Sequence, residues 1–226
     1  MKTAALGMGL FAAALAFADM TIVQSVESSG KGSDRVMKTS VTMIVKGNRM
    51  KIAFGDTMES IVDLSSKSAY MVDHAGKQVL EQSLDDMKRS SMAVACKQGE
   101  IKTTARPTGK METIQGFACR EYEVTTTGAA RMRQINWVSD DVDTKELEPF
   151  QSYFKEMDQG LFGGSISADL KGMLMRSETS YRAGAEERKS RVRVEKISRD
   201  PVPDSAFALP KEYKLIKAGA ASGPDK

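Results

Sequence analysis

One histidine, two cysteines and one tryptophan are all that the 226 residues contain of these types, and each scarcity removes a class of chemistry. With His74 as the only imidazole, a histidine-rich metal site is impossible, and a Ser-His-Asp or Cys-His site would have to be built on this one ring. His74 lies in Asp73-His74-Ala75-Gly76, a turn sequence, and reads as an exposed turn residue. Cys96 and Cys119 are too far apart for the CxxC spacing of redox pairs. Charge of one sign is also lacking: 33 Lys and Arg stand against 30 Asp and Glu, too near neutrality for a nucleic-acid binder. Beyond the N-terminus no apolar run approaches the roughly 20 residues that a helical membrane span needs.

The N-terminus itself is a targeting segment. Lys2 supplies a positive start, residues 4–17 are apolar, and Ala16-Phe17-Ala18 is a small-x-small cleavage signal. Residues 1–18 therefore read as a signal peptide, with a mature chain starting at Asp19 and a periplasmic or secreted destination. No cysteine follows the cleavage site to carry a lipid anchor. In an oxidising compartment, Cys96 and Cys119 are either a disulfide, stabilising by roughly 3 kcal/mol through loop closure, or a pair of buried thiols.

What the chain does contain is short alternating runs with regular punctuation. Gly47-Asn48, Gly55-Asp56, Ser65-Ser66-Lys67 and Ala75-Gly76 are turn chemistry, and they separate runs of strand length between Val41 and Gln82. Val41, Met43 and Val45, then Met50, Ile52 and Phe54, then Met58, Val62 and Leu64, then Tyr70 and Val72 alternate with polar residues. This predicts an antiparallel meander with one apolar face, which something must cover. Met20–Glu27 is an expected first strand, and residues 28–34 a loop. Further strands are expected at residues 101–105, 111–114, 117–127, 131–138, 170–182 and 187–198.

Two helices are the expected cover. Ser83 with Asp86 three residues on resembles a capping box, predicting a short helix to about Ala95 with Leu84, Met87 and Met92 on one side. Leu147, Phe150, Phe154 and Met157 recur at helical spacing and predict a second helix from about Leu147 to Gly160, with Pro149 in its first turn. Residues 19–216 read as a single mainly β domain. Phe207 and Leu209 anchor an irregular segment near its end, and residues 217–226 read as a disordered tail.

No Walker, Rossmann or nucleophile-elbow motif occurs. Asp140-Asp141-Val142-Asp143 fails the calcium-loop pattern, because Lys145 and Glu146 occupy positions that need an oxygen ligand and a glycine; it reads as an acidic turn before a helix. Ser28-Ser29-Gly30-Lys31 has a Ser-x-x-Lys spacing but lies in the loop before the meander. Glu121 and Glu123, on one strand face, read as partners of surface lysines and arginines. No metal, cofactor or catalytic constellation emerges.

The residual signal is methionine, fifteen in all. Met43, Met50, Met58, Met173 and Met175 fall at alternating strand positions, and Met87, Met92 and Met157 on the covering helices. Flexible thioethers suit either a surface that adapts to apolar ligands or ordinary core filling.

The order of parts resembles an uncharacterised family of secreted bacterial proteins. The resemblance rests on KGNRMKIAF, MESIVDLSSKSAYMVDHAGKQV, TGKMETIQGFACREYEV, WVSDD before a helix, and PDSAFALPKEY. Its most specific parts are Gly116-Phe117-Ala118-Cys119 with Tyr122, and Phe207-x-Leu209-Pro210. That family is similar in fold to the periplasmic lipoprotein-localisation factors. The resemblance implies a strongly curved antiparallel sheet, an incomplete β-barrel whose open mouth is plugged by helices over an apolar cavity. Its lining would be Met43, Met50, Ile52, Phe54, Met58, Met173 and Met175 on strands and Leu147, Phe150, Phe154 and Met157 on the lid. The function expected is a monomeric, non-catalytic carrier of a lipid, acyl chain or lipoprotein. The alternative is an envelope-protein interaction module with a filled core.

Overall fold

The computed structural model describes residues 19–30, 36–90, 102–127, 131–157, 170–183 and 186–218. The expected signal peptide, Met92, Cys96, residues 158–169 and most of the expected tail lie outside them.

Each turn predicted within the meander closes where its chemistry allows. Strand β1 (Met20–Gly30) precedes the meander β2 (Met37–Lys46), β3 (Arg49–Phe54), β4 (Met58–Asp63), β5 (Ser68–Asp73) and β6 (Gln78–Ser83). The Asp63 carboxylate accepts from the amides of Ser65 and Ser66 at 2.8 and 3.2 Å, and that of Asp73 accepts from Gly76 at 2.9 Å. These aspartates hold their turns through side-chain mimicry of a backbone acceptor. Ser83 caps the next helix (α1, residues 84–90) by accepting from Asp85 N at 3.2 Å, while Asp86 pairs with Arg89 instead of closing a capping box.

Strand β7 (Lys102–Ile114) is continuous, although Pro107-Thr108-Gly109 reads as a turn. The pairing with β8 (Phe117–Thr127) shifts between Pro107 and Met111, with Gly109 at φ +84°. A bulge in an edge strand accommodates both the missing proline N–H and the glycine. β9 (Arg131–Ser139), the second helix α2 (Glu148–Met157, entered through a 3-10 turn at Lys145–Leu147), β10 (Met173–Ala183) and β11 (Glu186–Ser198) follow near their expected bounds. A short strand that the sequence reading missed, β12 (Lys214–Lys217), runs parallel to β6. Ala218 N donates to Glu81 O at 2.9 Å, so the expected tail begins inside the fold.

The twelve strands of the described residues form one curved sheet in the order β12-β6-β5-β4-β3-β2-β1-β11-β10-β9-β8-β7, not closed into a barrel. Its inner face carries the main core. Met20, Ile22, Val45, Met50, Val62 and Ala69 from the strands pack with Leu84 of α1 and Leu147 and Phe150 at α2. Tyr153 of α2 donates to Leu84 O at 2.9 Å, which ties the two covering helices together.

The outer face of β2–β5 is covered by the irregular C-terminal segment. Val202, Phe207 and Leu209 pack on Ile44, Ile61 and Tyr70, so Phe207 and Leu209 are the anchors expected. Tyr70 and Val72 thus differ from their expected place. Ala69 pairs with Val62 on the inner face, which turns Tyr70 and Val72 outward. With apolar residues at both 69/71 and 70/72, alternation could not choose the phase, and a one-residue slip exchanges the faces.

Asp204 fastens this segment. It accepts from Arg49 at 2.5 Å and lies 3.2 Å from Lys46 Nζ, while the Arg49 guanidinium sits over the Phe207 ring. Hydrogen bonds from Arg49 and Lys46 hold the Asp204 carboxyl below the usual aspartate range. A lowered folded pKa gives a contribution that is fully present above the unfolded value near ~3.9 and is lost as pH falls through the folded value. Acid is therefore expected to loosen the Phe207 ring before the sheet unfolds, visible as a shift of its ring resonances below about pH 4. Asp204→Asn should remove that step, and an unchanged step in the variant would assign it to another group.

Candidate binding face

The register defines rows of side chains across the inner face, because directly paired residues point the same way. The innermost row, Met20–Val45–Met50–Val62–Ala69, lies buried beneath the helices. The next, Ile22–Met43–Ile52–Ser60–Met71–Leu80, starts buried on β1 and becomes progressively open toward β5. Beyond it come Val41–Phe54–Met58–Asp73. Phe54, Met58 and Met71 are 39%, 41% and 46% exposed although they stand on the face that elsewhere forms the core.

The expected lining residues thus fall into two groups. Met50, Leu147, Phe150, Met173 and Met175 are buried in one packed core, with Met43, Ile52 and Phe154 half-buried against it. Phe54 and Met58, paired across β3 and β4, are the exposed continuation of that surface. Met157 ends α2, and its side chain lies outside what is described. Met71 and Leu80 extend the strip and were missed, although Met71 could have been found by testing the other phase of β5.

Cys119 is buried in the core as a free thiol, 3.4 Å from Phe117 O, rather than half of the expected bridge to Cys96, a residue outside the described set. Its side chain is committed to packing among core residues, and burial pushes its thiol pKa up. Thiolate is the reactive form, so a thiol reagent at pH 8 is expected to leave Cys119 unmodified in the native protein and to label it on unfolding. Titration of the unfolded, unreduced protein should find free thiols; none at all would reinstate the bridge.

His74 is not the exposed turn residue expected. It is half-buried, with Nδ1 3.0 Å from the Tyr213 hydroxyl and Nε2 3.7 Å from Glu59, on which Lys51 also converges. The ring serves to fasten the end of the C-terminal segment. Glu123 accepts from Arg133 at 2.5 Å and from Arg106, as expected of a surface partner, whereas Glu121 is buried and pairs with Lys110. Asp140 pairs with Arg120 and Glu146 with Arg199. Among the described residues no group of three or more His, Cys, Asp or Glu side chains could hold a metal, and no helix is long and apolar enough to cross a membrane.

β9 and β10 bury polar groups that the sequence reading passed over. Gln134, Asn136 and Ser177 are buried, while Arg176 on the adjacent position lies over Trp137 at 3.6 Å and clasps Glu112 at 2.5 and 2.8 Å. The alternation in RMRQINWV carried the signal: Gln134 and Asn136 share the face opposite Ile135 and Trp137.

Several solved structures are similar at the level of chain path. PNGF-II is 11% identical with a TM-score of 0.43, covering 88% of this chain but 31% of its own, so the chain spans about a third of that protein. A DUF1329 family protein from Desulfovibrio piger is 13% identical with a TM-score of 0.36 and coverage of 84% and 90%. A domain named for outer membrane lipoprotein sorting, from Vibrio parahaemolyticus, is 10% identical with a TM-score of 0.32 and coverage of 84% and 88%. Likenesses this distant carry no argument about activity. No curated protein matches the chain. The model of one family, a domain of unknown function called DUF4412, matches residues 21–213, and this chain therefore belongs to the DUF4412 family.

Proposed function

We propose that the protein is an exported, non-catalytic carrier that holds an apolar ligand, a lipid acyl chain or an acylated protein, on the inner face of its curved sheet. The observation that carries this reading is the change in burial along one face. The row through Met50 and Val62 is sealed, the row through Met43 and Ile52 is half-open, and Phe54, Met58 and Met71 stand in solvent. An apolar strip continuous with a core costs free energy in water unless something covers it, and thioethers adapt to chains of varied shape. In this reading Phe150 and Met175 are the solid floor, Phe154 borders the strip, and export delivers a mature chain that begins at Asp19. Asp19 already takes part in the fold, accepting from Val202 N at 2.6 Å.

A filled core whose exposed edge meets an envelope protein is the second reading, favoured by the complete burial of Phe150 and Met175. The two separate in a single assay. A carrier binds a fluorescent fatty-acid analogue at micromolar concentration and yields acyl species on lipid extraction of the protein purified from its periplasm. An interaction module gives neither.

A further inference from the structure

Gln134 Oε1, Asn136 Oδ1 and Ser177 Oγ are buried and have no hydrogen-bond partner. Their residues are 3%, 1% and 4% exposed, and they are neighbours: Asn136 pairs directly with Ser177, and Gln134 with Thr179 two residues along. Gln134 donates from Nε2 to Thr179 Oγ1 at 3.3 Å, which leaves its carbonyl oxygen as the open function. One unmatched buried polar atom is a local defect, but three on adjoining positions of two strands make a surface that requires hydrogen-bonding partners.

The register joins this surface to the apolar strip. From Ser177 the row runs through Val192 of β11 and Val26 of β1 to Thr39 of β2, which lies two residues from Val41 on the same face. From Gln134 it runs through Thr179, Ser190 and Ser28 to Met37. No residue of either row is charged. The face that carries these rows is thus apolar on β2–β5 and, at residues 134, 136, 177 and 179 of β9 and β10, polar but uncharged.

We infer that β9 and β10 form a head-group subsite for an uncharged amphiphile that presents O–H or N–H donors. This rests on the carrier reading, since the acyl chain would lie along the strip. Two amide oxygens accept, and the Ser177 hydroxyl both donates and accepts. A charged head group would be buried there without a counter-charge, which disfavours it. A polyol or amide head satisfies all three groups.

The test compares two neutral ligands with the same chain, 1-monooleoylglycerol and methyl oleate, in competition with the fluorescent analogue. The glycerol ester is expected to bind roughly tenfold tighter, because only it offers hydroxyl donors to atoms that otherwise stay unmatched. In Asn136→Leu/Ser177→Ala that preference should vanish, with methyl oleate binding unchanged and the melting temperature maintained or raised. Equal affinities in the wild type, or a preference that survives the double substitution, overturn the subsite and leave the carrier standing. Should neither ester bind, the carrier reading fails, and free glycerol decides the subsite alone. Shifts of the Gln134 and Asn136 side-chain amide resonances on glycerol titration uphold it, and their absence overturns it.

Discussion

Replacing both Phe54 and Met58 by Asp is expected to weaken binding of a fatty-acid analogue at least about tenfold while moving the melting temperature little. The two residues face each other across β3 and β4 and belong, with Met71, to the exposed part of a face that elsewhere forms the core. Carboxylates there remain hydrated in the free protein, so folding loses little; surface changes usually stay within about 0.5 kcal/mol each. An acyl chain laid on them would strip that hydration with no partner in return, so the penalty falls on the complex. If the strip instead contacts an envelope protein, the wild type will show no analogue binding for the substitutions to remove. Undiminished analogue binding in the double variant would move the ligand elsewhere and end the assignment of this strip.

The opposite pattern is expected at Phe150. Its side chain is fully buried among core residues from both covering helices and the sheet, and Phe150→Ala removes a ring whose space the neighbours fill only in part. Such substitutions cost about 3–5 kcal/mol, and for a chain of this size each kcal/mol lowers the melting temperature by roughly 2–4 °C. A fall of about 6–20 °C should therefore appear in thermal unfolding followed by circular dichroism. A shift under about 2 °C would mean that the space under α2 is loosely filled, and Phe150 would then be lining rather than floor.

Together these two results locate the boundary between core and binding face. It falls within the row Met43–Ile52–Ser60–Met71, where the methionine at one end is half-buried and the methionine at the other is exposed. Ile52 and Phe54 are indistinguishable by pattern, each apolar and each on the same strand face. They differ in whether the core packs against them: Ile52 is half-buried against it, and Phe54 is exposed.

Local chemistry alone determined the strands of the meander and their turns. Asp63 and Asp73 bond to amides two or three residues ahead, and Gln115 and Gly116, at φ +51° and +83°, make the tight turn between β7 and β8. These interactions span a few residues, so the chain carries them in its order. Only the tertiary structure decided the rest, because the deciding partners are distant in sequence. The phase of β5 depends on Val62 and on the C-terminal segment more than a hundred residues away. β12 exists because β6 offers it an edge, and His74 is fastened by Tyr213. Gln134 and Asn136 alternate with Ile135 and Trp137 as a solvent-facing pair would, yet both faces of β9 are buried. Alternation reports that two faces differ, whereas burial depends on what is packed over each.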